Sequence, residues 1–234
     1  MKKWIKRLFG ILIILILLLS GIYFLYFNDP VPVGTSPEKA DALARDMLEA
    51  LNAEAYNESR YLTWTYRGGR NQYRWDKTMG KVEMSWGEYS GKIDLVSPEK
   101  STVKKEGRPL QGEQLKKVTE EAIANFNNDS FWLVAPYKVF DKGTKRRLVD
   151  MPDGQTGLLV TYTQGGDTPG DSYLWELNDE LFPVKFRMWV QILPLKGMSA
   201  TWEGWQKTES GAWLPQFHKV GPLTLDLGEV SAAR

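Results

Sequence analysis

The side chains that could do chemistry in this chain are few in kind and unevenly placed. There is one His, His218, and no Cys. Thiol chemistry, disulfides, Cys-type zinc sites and multi-His metal sites are therefore excluded. A lone His with no adjacent Ser or acid motif reads as structural rather than catalytic. Asp141, Asp150 and Asp153 have no diagnostic spacing for a glycosidase-type carboxylate pair. The run GGDTPGD, residues 165–171, lacks the ligand spacing of an EF-hand loop and the Gly-Lys-Ser/Thr of a phosphate loop, and reads as a turn. No catalytic residue, metal ligand or cofactor is named on these grounds. The abundant resource is aromatic: ten Trp, ten Tyr and nine Phe, concentrated in stretches such as WTYRGGRNQYRWD at 64–76. Rings of this kind fill a core or line an apolar pocket.

The elements that must position those rings follow from periodicity. Ser36-Pro37-Glu38 predicts a helix start, with Ser at the N-cap, Pro in the first turn and an acid near the positive end. Ala40, Leu43, Ala44, Met47, Leu48, Leu51 and Ala55 then follow a helical stripe. From Arg60 the period is two: RYLTWTYR, QYRWDK, KVEMSW and GKIDLV predict four antiparallel strands joined by Gly-bearing turns. A second helix is expected over Gly112–Asn127, with a turn at Asn128-Asp129, and six or so strands after it. Arg70 and Asp76 are expected to flank the first turn, where they pair at the surface or meet a headgroup at a cavity rim. The basic cluster KGTKRR at 142–147 reads as a solvated turn, with contact to acidic headgroups as the alternative.

The N-terminus reads as a separate object. Lys2, Lys3, Lys6 and Arg7 precede Leu8–Phe27, a stretch without charge. Twenty residues at 1.5 Å each reach about 30 Å, a hydrocarbon core. Residues 1–30 are therefore expected to be a retained signal-anchor or transmembrane helix, a cleaved signal peptide being the alternative, with Trp4, Tyr23 and Tyr26 near the interfaces. The N-terminus is expected in the cytoplasm of a single-pass inner-membrane protein, and the remainder periplasmic or extracellular. Residues 31–36 form a linker and 37–234 one domain. The charge balance, 30 basic against 29 acidic residues, gives no nucleic-acid footprint.

The order helix, RYLTWTYRGGRNQYRWDK, second helix, NDSFWLVAPYKVFDKG and GGDTPGDSYLWELNDELFPVKFRMW resembles a group of bacterial envelope proteins with no assigned activity. They are similar to the superfamily of periplasmic lipoprotein carriers, LolA-like and LolB-like. The likeness covers most of Pro37 to Leu227, marked by Trp64, Arg70, Trp75-Asp76, Asn128-Asp129, Phe131-Trp132-Leu133, Pro136 and Gly170-Asp171. The resemblance implies an α+β fold. One strongly curved antiparallel sheet of about ten strands forms an unclosed half-barrel, with helices over its concave face and an apolar cavity between. Trp64, Tyr66, Tyr73, Trp75, Met84, Trp86, Trp175 and Met188 are the expected cavity lining, with Arg70 and Asp76 at the rim. The expected function is binding of a lipid, an acyl chain or a lipidated partner. An envelope enzyme acting on glycans or esters, and a scaffold without ligand, are the alternatives.

Overall fold

A computed structural model describes residues 2–27, 29–164, 169–192 and 196–234. Helix α1 (Lys2–Phe27) carries exposed apolar side chains around its circumference, among them Leu8, Ile11, Leu15 and Ile22. Among the described residues no helix is long and apolar enough to cross a membrane. That finding overturns the expected transmembrane anchor, and with it the inner-membrane placement and the orientation drawn from it. The side chains of Tyr23 and Tyr26, expected at an interface, lie outside the described residues.

Helix α2 (Pro37–Ala50) begins as the Pro predicts, but the Ser36 hydroxyl makes no capping bond and its φ is 47°. The apolar stripe was expected to run unbroken to Ala55. Instead the chain turns at Leu51–Asn52 and restarts as α3 (Ala53–Glu58). Asn52 explains the break: its side chain caps Ala55 N at 3.4 Å and donates to Gly211 O at 3.0 Å.

The predicted meander is present as β1 (Tyr61–Tyr66), β2 (Asn71–Asp76), β3 (Lys81–Trp86) and β4 (Tyr89–Asp94). It extends through β5 (Thr102–Lys105) to the two-residue β6 (Arg108–Pro109), and α4 (Gly112–Val134) follows. The chain then forms β7 (Thr144–Asp150), β8 (Thr156–Tyr162), β9 (Ser172–Leu177), β10 (Pro183–Trp189) and β11 (Met198–Thr201). Two short ribbons come next: β12 (Gln206–Lys207) with β13 (Trp213–Leu214), and β14 (Phe217–Val220) with β15 (Leu223–Asp226). The last strand, β16 (Ser231–Ala233), returns to pair with β1.

One continuous half-barrel sheet was expected; the strands instead divide among several open sheets. A seven-stranded sheet has the order β16-β1-β2-β3-β4-β5-β6, and a five-stranded sheet the order β11-β10-β9-β8-β7. The break falls between β6 and β7. Pro109 has no N–H to offer a next strand, and the chain leaves at once into α4. The facing edge of β7 is engaged elsewhere, since Thr35 and Leu148 exchange two main-chain hydrogen bonds of 2.8 Å. Gly34 permits that approach: a Cβ there would sit 2.6 Å from Arg147 Cβ. Nor do the helices cover one common concave face. Helix α4 packs on the seven-stranded sheet, and α2 packs on β7 and β8 of the other.

Each sheet therefore has its own core. Val118, Ala122, Phe126 and Leu133 of α4 meet Leu62, Trp64, Tyr73, Val82, Met84 and Ile93. Ala40, Ala44, Met47 and Leu51 meet Leu158, Trp175, Phe186, Met188 and Trp202. Trp132 and Tyr137, at the end of α4 and just beyond it, touch both cores. The Tyr137 hydroxyl lies between Trp213 O, at 2.5 Å, and Leu51 O, at 3.0 Å, and its ring stacks on Tyr56 at 4.0 Å.

Candidate functional site

Alternation in β1, β2 and β3 sends Trp64, Tyr73, Trp75, Met84 and Trp86 to the face that α4 covers. Trp64 stacks on Tyr73 with centroids 4.6 Å apart. Phe126 of α4 meets Trp75 edge-on at 5.2 Å and Trp64 at 6.0 Å. Trp86 stacks on Tyr89 at 5.6 Å. Of the eight residues expected to line one cavity, Trp64, Tyr66, Tyr73, Trp75, Met84 and Trp86 share this face. Trp175 and Met188 lie in the other core, where Trp175 packs edge-on to Phe186 at 5.1 Å and against Trp202 at 5.1 Å. Trp64, Tyr73 and Trp75 each meet the Phe126 ring of α4.

The aromatic face has a polar peculiarity. The indole Nε1 atoms of Trp64, Trp75 and Trp86 are buried and have no acceptor among the described residues, and the same holds for Trp175 and Trp202 in the other core. By contrast, Trp189 donates to Asp29 O at 2.7 Å and Trp205 to Pro183 O at 2.9 Å. The buried Thr119 hydroxyl of α4 also lacks a partner among the described residues. A buried donor left unmet costs about 1–3 kcal/mol.

Beside the rings lies a buried carboxylate. Asp129 is fully inaccessible. Its Oδ2 accepts from Tyr73 Oη at 2.6 Å and from Asn71 Nδ2 at 2.7 Å, and its Oδ1 accepts from Asn128 Nδ2 at 2.8 Å. No ion pair reaches it among the described residues. Burial, and then the bond to Asp129, hold the Tyr73 phenol far above its ordinary value. Burial, with Asp129 nearby, pushes Tyr66 up to about 12. The knot ties α4 to the β1–β2 hairpin. Asn128 and Asp129 were read as a turn, but α4 runs on to Val134 and both are helical. The signal that the sequence did offer was Asn71 and Tyr73 on one strand face, two neutral donors aimed into the core.

The opposite face of the same strands is polar. Register places Thr63, Arg74, Glu83, Lys92 and Thr102 in one row across β1 to β5, and Thr65, Gln72, Ser85, Ser90 and Lys104 in the next. These rows line an open groove of about 580 Å³, to which Trp64, Tyr73, Met84 and Gly91 also contribute. Glu83 pairs with Lys92 at 2.9 Å and more loosely with Arg74 at 3.9 Å.

The two expected rim residues are not together. Arg70 is exposed at the β1–β2 turn, while Asp76 ends the far end of β2. The partner of Asp76 is Arg60, at 2.9 Å, which holds its carboxyl below the usual range; Asp76 also caps Met79 N at 3.0 Å. Lys77, which the sequence did not single out, is half-buried. Its ammonium donates to Tyr56 O and lies 3.6 Å from the Tyr56 ring, and burial draws it down to about 8.

His218 sits in the second core, fully inaccessible, with its ring 4.4 Å from Trp202 and 5.2 Å from Trp132. Nδ1 lies 2.9 Å from Thr201 O, and Nε2 faces the Trp132 main chain without a well-formed hydrogen bond. Burial lowers the imidazole to about 4. Asp141 pairs with Lys138, Asp153 caps Gln155 N at 3.0 Å, and Asp150 ends β7, so the three carboxylates serve separate local roles. The cluster at 142–147 is largely strand: Arg146 in β7 pairs with Asp41 at 2.5 Å and covers the Phe140 ring at 4.2 Å. Residues 165–168 of the Gly-rich loop lie outside the described residues. Asp171, which follows them, is buried and accepts from Gln191 N at 2.8 Å. Among the described residues no three His, Cys, Asp or Glu side chains gather as a metal set would require.

No family profile and no curated protein sequence matches this chain. Among solved structures it is similar to the crystal structure of a DUF1329 family protein from Desulfovibrio piger. The two are 11% identical, and the match spans 85% of this chain and 94% of that one at a TM-score of 0.43.

Proposed function

We propose that this chain is a binding protein that holds an acyl chain, as a free lipid or on a lipidated partner, between α4 and the aromatic face of the seven-stranded sheet. The observation that supports this reading is the set of buried indole N–H groups of Trp64, Trp75 and Trp86, left without acceptors on one face. Unmet buried donors call for a compensating role. An amphiphile with ester or carboxyl oxygens offers acceptors for those donors and methylene area for the rings. The rings now touch α4, so a ligand enters by displacing that helix. Its start is lightly secured: Gln111 makes no side-chain cap and Gly112 has a φ of 58°. The Asp129 knot holds its far half. No covalent step is part of this reading.

The experiment is a titration of the full chain with a fluorescent fatty acid, read by energy transfer from Trp. Saturable binding that Trp75→Ala weakens supports the proposal. Absence of saturable binding at micromolar protein sinks it and leaves the scaffold reading.

A further inference from the structure

The proposed acyl site leaves the opposite face of the sheet without a role. That face is not a uniformly solvated surface. Its groove has three cations, Arg74, Lys92 and Lys104, against one carboxylate, Glu83. Glu83 is already engaged with Lys92 at 2.9 Å. Lys104 has no carboxylate partner among the described residues, although Lys105 next to it pairs with Glu88. Arg74 is laid over Tyr61 at 4.1 Å, which fixes its guanidinium at the edge of the groove. Arg74 on β2 and Lys104 on β5 are three strand spacings apart, roughly 14 Å. Between them the second row presents Ser85 and Ser90, hydroxyls that can both donate and accept, with the Gln72 amide beside Arg74 on β2.

We infer that this groove binds an acidic polysaccharide laid across the strands. The spaced cations select repeating carboxylate or sulfate groups, and the row of amide and hydroxyl groups matches sugar hydroxyls. The groove is an open, polar stretch of the sheet face rather than an enclosed pocket. It also lacks the exposed stacking rings and the dense phosphate contacts of a nucleic-acid channel.

The test is equilibrium binding of the full chain to polygalacturonate, with neutral dextran and anionic phosphatidylglycerol vesicles in parallel. The inference predicts saturable binding to polygalacturonate that weakens with salt, and no binding to dextran. Arg74→Glu combined with Lys104→Glu should weaken it by roughly tenfold or more. Glu83→Gln should tighten it, a change of sign that a purely structural face would not show. Lys117→Glu, exposed on α4, should leave it unchanged. Binding of the fluorescent fatty acid should survive Lys104→Glu, which separates this site from the acyl site. Equal binding to dextran, preference for the vesicles, or indifference to Glu83→Gln would overturn the inference.

Discussion

The two faces of the seven-stranded sheet are made by the same strands, residue by residue, yet they obey different physics. Trp64 is buried against Phe126, while its neighbours Thr63 and Thr65 line the outer groove. Tyr73 is fixed by Asp129, while Gln72 and Arg74 face water. On the inner face, stability comes from apolar area and from one buried polar knot. On the outer face, charges stay screened and contribute little to stability. Proximity in sequence therefore predicts little about the size of a mutational effect here; parity along the strand predicts a great deal.

The largest effect that would sharpen this contrast is Trp64→Ala. Removing a fully buried indole should cost about 3–5 kcal/mol in chemical denaturation, whereas Thr63→Ala beside it should change stability by less than about 0.5 kcal/mol. Comparable losses at both positions would break the two-face account. Next is Asp129→Ala, which strands the Asn71 and Tyr73 donors and should cost about 3 kcal/mol. Tyr73→Phe removes one donor and should cost about 1–2 kcal/mol.

The second core supplies a pH signature that the exposed groove does not. His218 is neutral and buried, with a folded value near 4 against about 6.5 when unfolded. Below about pH 6.5 the unfolded chain binds the proton and the folded chain does not, so stability is present above that pH and declines as pH falls toward 4. The loss between pH 7.5 and 5 should be about 2 kcal/mol. Urea midpoints measured at both values check it, and His218→Gln should flatten that dependence. The smallest effect belongs to the outer face: Glu83→Gln should move stability by no more than about 0.5 kcal/mol.

How much of this was legible in the sequence depends on the range of the interaction. The period-two alternation from Arg60 to Val96 placed β1 to β4, because the pleat is a local property. The break into two sheets was not legible. It depends on Pro109 ending one ladder and on Thr35 reaching Leu148 across more than a hundred residues. Asn128-Asp129 resembled a helix stop because both side chains favour turns. Their helical state is secured by Asn71 and Tyr73, which lie more than fifty residues earlier. Arg70 and Asp76 appeared paired because they are close in number, but a six-residue strand holds them apart. The run of apolar residues in α1 was plain, yet counting residues did not establish a span. For the candidate lining, composition showed that rings would be buried. Which rings share a face followed only from register, and it moved Trp175 and Met188 to a different core.

The central claim is that α4 yields the aromatic face to an acyl chain. Hydrogen exchange of the α4 amides in the full chain, with and without a saturating fatty acid, tests it most directly. The account predicts altered protection over Val118–Phe126, matched by a change in Trp64 and Trp75 fluorescence and absent in Trp75→Ala. Unchanged exchange along α4 while the fatty acid is bound would show that the ligand sits elsewhere and would contradict it.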